Sequence, residues 1–212
     1  MTNESVFSQF FEPRMSKCPK VRLTDQQMKF VHDFVARLWQ RKIQEYPQDA
    51  KNIIERNIIG RMCEYAVLEG YGKTEYFDDS IGYSTEYETP DFWLTPKHKR
   101  HLPHPYIPVD VKGSNAAHRN TPLVEKQLKM IEINGCRYNC PDLMCLGNST
   151  TGEVWMLGIA SPEILKTHCT TSLIKNANNS KKTAFFGGDK LIDVPKTWDE
   201  LRTLCTSLLV KL

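Results

Sequence analysis

Asp110 and Lys112 are the residues of this 212-residue chain whose types and spacing most clearly suggest chemistry. Residues two apart on a strand point to the same face, so the pair would present a carboxylate and an ammonium side by side. Asp91, in the dipeptide Pro90-Asp91, lies on the strand predicted before them and would join the pair if the two strands are neighbours. The spacing therefore predicts a site with two carboxylates and one lysine.

Glu64 is a further candidate acid, on a predicted helix. Gly60 and Leu68 lie four residues before and after it and share its helical face. A carboxylate between a glycine and a leucine is a poor pattern for a solvent-facing surface. We therefore expect Glu64 to point inward, toward a group that compensates its charge.

These residue types suit the metal-assisted hydrolysis of a phosphodiester. Mg²⁺ is held in proteins by a few oxygen ligands and keeps several waters. A bound metal polarises the phosphoryl group and helps to generate the nucleophile. A lysine beside it can stabilise the developing negative charge, or orient and help to deprotonate the attacking water. Taken singly, Asp91 and Asp110 are better interpreted as charges that end strands, and Lys112 as a surface lysine. The combination with Glu64 favours a metal site.

The three acids and the lysine, in this order, resemble the PD-(D/E)xK nuclease superfamily, which has the restriction-endonuclease-like fold. The run from Gly60 to Ala66 is similar to the Gly-x-x-x-Glu-x-Ala pattern of the helix before the first core strand in that superfamily. The resemblance implies Asp91 and Asp110 as metal ligands, Glu64 as the acidic residue on the helix and Lys112 as the catalytic lysine. It also implies a Mg²⁺-dependent DNA endonuclease, with Mn²⁺ as a substitute metal, of a restriction, phage or mobile-element type.

The resemblance covers residues of about 50 to 160 and departs from the superfamily pattern at two points. Asp91 and Asp110 are separated by 18 residues (92–109), which implies an inserted loop. The Gln-x-x-x-Tyr pattern of an exonuclease branch is absent, because Ile131 stands four residues after Gln127. That difference argues against a processive exonuclease of that branch. Cutting both strands would favour a homodimer, because one site must otherwise act twice.

The candidate contacts to DNA are basic and polar residues around the same strands. A basic loop between the two predicted strands could neutralise phosphates, and polar residues directly after Lys112 could donate hydrogen bonds to the scissile strand. The candidates are Lys97, Lys99, Arg100, Ser114, Asn115 and Arg119. Arg119 is predicted to lie in a helix together with Lys126 and Lys129. A solvated connection is the alternative for the basic loop.

Two further functions are compatible with the sequence. One is a non-catalytic protein of the nuclease fold that binds nucleic acid or another protein. The other is a zinc-stabilised interaction module, since Cys136 and Cys140 have the spacing of a zinc knuckle and His168 or Cys169 could complete a ligand set. Cys145 follows closely, but the chain lacks a second compact pair, which favours free buried thiols.

Composition limits the class of protein without identifying it. The chain carries 28 Lys+Arg and 25 Asp+Glu, a net charge of +3, which excludes a polybasic protein that coats nucleic acid by bulk charge. Seven cysteines, an odd and scattered set, predict reduced thiols and a cytoplasmic protein. There is no apolar run long enough to cross a bilayer and no glycine-rich nucleotide-binding motif.

The elements that must position these residues follow from hydrophobic periodicity and capping. A helix is predicted to begin at Thr24 with a capping box, and a second helix to run over about 48–68. The last helix is predicted to begin after a second capping box at Thr197. Strands are predicted over 86–94 and 106–112, with a hairpin of 143–146 and 153–159. We expect one α/β (α+β) domain over 1–212, with a central mixed sheet flanked by helices: an N-terminal arm (1–22), a catalytic core (about 50–160) and a C-terminal extension (161–212).

Overall fold

The computed structural model describes residues 12–42, 50–77, 92–93, 106–115, 124–125, 130–133, 135–167, 170–172, 183–185 and 190–212. The helices are α1 (Glu12–Met15), α2 (Asp25–Lys42), α3 (Ala50–Gly70), α4 (Pro162–Thr167) and α5 (Trp198–Ser207), with a 3-10 turn at Thr74–Tyr76. The strands are β1 (Lys20–Arg22), β2 (Phe92–Trp93), β3 (Tyr106–Ile107), β4 (Asp110–Asn115), β5 (Val124–Glu125), β6 (Met130–Ile133), β7 (Cys136–Asn139), β8 (Asp142–Asn148), β9 (Glu153–Ala160), β10 (Thr170–Ser172), β11 (Thr183–Phe185) and β12 (Val210–Lys211).

Both predicted capping boxes are confirmed. The Thr24 amide donates to the Gln27 side chain at 2.9 Å, while the Gln27 amide donates back to the Thr24 hydroxyl at 3.3 Å. Thr197 and Glu200 make the same reciprocal pair at the start of α5. Each pair satisfies backbone donors that the first helical turn leaves open, which explains why α2 and α5 begin where they do.

A mixed four-stranded sheet, in the order β1-β9-β8-β4, forms the centre of the described structure. β9 is antiparallel to both β1 and β8, whereas β4 runs parallel to β8. The α/β class with a mixed sheet and helices is therefore confirmed. Lys20–Arg22, at the end of the predicted N-terminal arm, form a strand of this sheet, with Val21 paired to Val154.

The two faces of the sheet carry different layers of the core. Helix α3 packs on one face, where a side chain at Gly113 would meet the Cys63 sulfur and one at Gly147 would meet Met62. Leu143 and Cys145 belong to this layer. The other face carries a second apolar cluster, composed of Met144, Leu146, Leu157, Ala160, Leu165 and Leu191. Alternation along β8 therefore assigns odd-numbered residues to the α3 face and even-numbered residues to the other.

The strand predicted over 106–112 is interrupted at Pro108. Proline has no backbone N–H to give to a ladder, and the Val109 amide turns back to the Ile107 carbonyl at 2.8 Å. The segment therefore divides into β3, which pairs antiparallel with β2, and β4, which joins the central sheet. Of the strand predicted over 86–94, the structure describes Phe92 and Trp93, and both are in β2.

The connection from β4 to β8 differs from the prediction of a helix in this region. The residues described there include strands β5, β6 and β7. The β6–β7 hairpin pairs Met130 with Asn139 and is extended by β12.

None of the helices in the described part of the chain is long and apolar enough to span a bilayer.

Candidate active site

Asp110 and Lys112 form an ion pair at the start of β4. The Asp110 side chain is 5% exposed and the Lys112 side chain 28% exposed, so the carboxylate is buried beneath a partly solvated ammonium. The Asp110 amide also donates to the Pro141 carbonyl at 3.0 Å, which ties the first residue of β4 to the chain just before β8. The predicted adjacency of this carboxylate and this ammonium is therefore present.

The pair projects from the face of β4 that is turned away from α3. Gly113 faces α3, and the Asn115 side chain donates to Glu55 of α3 at 2.9 Å. Alternation then places Asp110, Lys112 and Ser114 on the opposite face. The site therefore lies on the side of the sheet that carries the second apolar cluster.

Asp142 lies beside the pair and was not among the sequence-based candidates. Parallel pairing sets it opposite Asp110 in the register, and it is 0% exposed. Asp142 is the first residue of β8, one residue before the strand predicted over 143–146. An acid directly before an apolar run, Leu143 to Leu146, was the signal that could have drawn attention to it.

Glu64 lies on α3, and its carboxylate accepts a hydrogen bond from Arg61 at 2.5 Å. Its side chain is 12% exposed, so the predicted inward position and the predicted compensation of its charge are both present. The compensating group seen here is a guanidinium one helical turn away. Helix α3 packs on the face of the sheet opposite Asp110 and Lys112, so the structure does not bring Glu64 beside the ion pair. The assignment of Glu64 as a metal ligand stays a prediction.

Of the candidate DNA contacts, only Ser114 and Asn115 are described. Ser114 shares the face of Lys112 and is half-buried. Asn115 points the other way and uses its amide nitrogen to bind Glu55, which makes it a poorer donor to a strand held at Lys112. Asp91 and the basic candidates Lys97, Lys99, Arg100 and Arg119 lie outside the described residues.

The cysteines of the predicted zinc knuckle are placed on different elements. Cys136 is half-buried on β7, whereas Cys140 and Cys145 are buried. A hydrogen bond with the Cys63 thiol, together with burial, raises the pKa of Cys145 well above its ordinary value. The Cys145 thiol is therefore engaged with Cys63 inside the core, as expected of a free buried thiol.

The described residues contain no group of three or more His, Cys, Asp or Glu placed to hold a metal ion. Glu64, Asp110 and Asp142 therefore do not form such a group together. The donor type still suits Mg²⁺: Asp110 offers hard carboxylate oxygens, and Asp91 directly precedes Phe92, whose strand pairs with the β3 segment that leads into β4.

Comparison with known proteins identifies no relative. No protein-family model, no curated protein and no solved structure matches the chain.

Proposed function

We propose that this protein is a metal-dependent nuclease that hydrolyses phosphodiester bonds in DNA. The observation that carries the proposal is the ion pair of Asp110 and Lys112 on one face of β4. A buried carboxylate with a partly solvated ammonium above it can bind a cation and an anion at adjacent positions. A phosphodiester and its metal are a ligand pair of that kind.

The residues would divide the reaction between them. Asp110 and Asp91 would hold Mg²⁺, which would polarise the phosphoryl group and supply a hydroxide-like nucleophile. Lys112 would stabilise the negative charge that develops on the phosphoryl oxygens. Orientation of the attacking water, with help in its deprotonation, stays the alternative role for Lys112.

The first prediction concerns the activity of site variants. Lys112→Met removes a donor to the transition state and is expected to lower kcat by about 10²- to 10³-fold. Asp110→Asn, which removes the charge that holds the metal, is expected to abolish cleavage. The assay measures cleavage of single-stranded, duplex and branched DNA and of RNA, with Mg²⁺, with Mn²⁺ and with EDTA.

A matched control is available on the opposite edge of the same sheet. Lys20 and Glu153 form an ion pair at 2.8 Å across β1 and β9, and β1 is the strand farthest from β4 in the sheet. Lys20→Met and Glu153→Gln make the same chemical changes and are expected to cleave like the wild type. The proposal fails if the wild type cleaves no nucleic acid with any divalent metal, or if Lys112→Met cleaves as well as Lys20→Met.

The same variants, with and without divalent metal, also distinguish the nuclease from a non-catalytic DNA-binding protein. A non-catalytic member of the fold would bind DNA without a response to metal or to Asp110→Asn. Size-exclusion chromatography with light scattering measures whether the protein is the homodimer that cleavage of both strands would favour.

A further inference from the structure

Asp142 presents a fully buried carboxylate on the face of the sheet that carries Asp110 and Lys112. The whole residue is 0% exposed, and its partner across the parallel ladder is Asp110, of which 3% is exposed when the backbone is counted with the side chain. Residues paired in a parallel ladder point to the same side, and neighbouring strands are about 4.8 Å apart. Two buried carboxyl groups therefore start from adjacent positions.

Two buried carboxylates side by side repel each other and lose their hydration, so they are retained only with a compensating group. Lys112 is the cation that β4 itself presents on this face. Its ammonium does not extend along the strand toward Asn115 but reaches back to Asp110. That direction brings it to the end of β4 where Asp142 begins β8.

We propose that Asp142 is a positioning residue, which shares the ammonium of Lys112 with Asp110. One carboxylate on each strand would hold the end of the long lysine side chain over the sheet, where a single ion pair would leave it free to rotate. The hydrogen bond from the Asp110 amide to Pro141, at 3.0 Å, fixes the spacing of the two acids. The catalytic consequence of this arrangement rests on the proposed nuclease function, whereas the pairing itself does not.

A double-mutant cycle on folding stability tests the pairing without reference to any activity. Asp142→Asn, Lys112→Met and the double variant are unfolded in urea beside the wild type. Contacting residues couple, so the double variant is expected to be more stable than the sum of the single effects, by about 2-fold to about 150-fold in the folding equilibrium constant. Additive effects would overturn the inference, because an Asp142 with a purely independent structural role gives no coupling to Lys112.

The control cycle combines Lys112→Met with Glu153→Gln. Glu153 is paired with Asn148 and Lys112 with Met144, so the two are about four residues apart along β8, or roughly 13 Å. Additivity is expected at that distance. If one single variant does not fold, the cycle is repeated in an Asp110→Asn background, where Asp142 is the carboxylate of the pair that is left for Lys112 to compensate. Additive effects in that background overturn the inference.

Cleavage assays then measure the catalytic consequence. Asp142→Asn is expected to lower kcat by about 10-fold to about 100-fold with little change in KM, because a misplaced Lys112 weakens the transition state more than substrate binding. If Asp142 and Lys112 are coupled in stability but Asp142→Asn leaves kcat unchanged, Asp142 binds Lys112 without affecting catalysis. That result would overturn the positioning role. A wild type without nuclease activity would refute the proposed function and leave the stability cycle to decide the pairing.

Discussion

Single glycines set how closely helix α3 approaches the strand that carries Asp110 and Lys112. A Cβ atom at Gly113 would lie 2.9 Å from the Cys63 sulfur and 3.2 Å from the Ile59 carbonyl oxygen. Cys63 is 0% exposed and has no space to withdraw into. Gly60, in the same helix, is different, because a Cβ atom there meets nothing within 4 Å.

These two positions predict opposite effects of the same substitution. Gly113→Ala is expected to destabilise the protein by about 1–3 kcal/mol, since α3 must move away from β4. Gly60→Ala is expected to stabilise it by about 0.5–1 kcal/mol, because alanine loses less backbone entropy in a helix than glycine. Urea unfolding measures both, and a Gly113→Ala protein as stable as the wild type would contradict this account of the helix–strand contact.

At the scale of elements, one arginine connects three separate segments of the chain. Arg14, on α1, donates to the Leu157 carbonyl of β9 at 2.7 Å and to the Leu191 carbonyl at 2.9 Å. It also pairs with Asp193 at 2.7 Å. The segment around Leu191 is bound to β9 as well, through reciprocal backbone hydrogen bonds between Ile159 and Ile192. Arg14 therefore connects helix α1 and the segment before α5 to β9, beside the second apolar cluster.

Removal of this guanidinium is expected to loosen both segments together. Arg14→Met leaves the carbonyls of Leu157 and Leu191 without their charged donor, at a cost of about 2–3 kcal/mol. The measurements are urea unfolding and the rate of limited proteolysis near residue 12. Arg202→Met, at an exposed position of α5, serves as the control and should change stability by less than about 0.5 kcal/mol. Equal stability of the two variants would show that Arg14 does not fasten these segments.

At the scale of the whole molecule, protonated groups in the core link stability to alkaline pH. Burial raises the pKa of the Cys205 thiol from 9.0 to about 12. A hydrogen bond with Cys63, followed by burial, raises the pKa of Cys145, and burial raises that of Tyr71. The folded state therefore keeps protons that the unfolded chain releases at lower pH.

The sign of this linkage predicts loss of stability in base. The contribution of Cys205 is complete below about pH 9, where the unfolded thiol is protonated too, and is lost as the pH rises toward 12. The loss is at most about 1.4 kcal/mol per pH unit for one group. Urea unfolding at pH 8, 9.5 and 11 measures it. Cys205→Ala should show a flatter pH dependence than the wild type above pH 9, whatever its stability at pH 8, and an unchanged slope would contradict the assignment.

Local features were predictable because a few neighbouring residues decide them. The capping boxes at Thr24 and Thr197 depend on side chains three residues apart. The β8–β9 hairpin depends on its turn, where the Asn148 side chain accepts from the Thr150 amide and Gly152 takes a positive φ of 69°. The common face of Asp110 and Lys112 follows from the alternation of a strand. The sequence by itself therefore determined the first residues of α2 and α5, the β8–β9 hairpin and the ion pair of Asp110 with Lys112.

Contacts between distant segments were decided by the tertiary structure alone. Asp142 lies beside Asp110 only because β4 and β8 pair in parallel with that register, and a shift of one residue would turn every side chain of a strand to the other face. Glu64 meets Arg61 on α3 while Asp110 and Lys112 project from the opposite face of the sheet. Register and layer order depend on how the whole core packs, since burial is summed over many residues far apart in the chain. Spacing along the sequence identified the ion pair, and packing determined which other acids stand beside it.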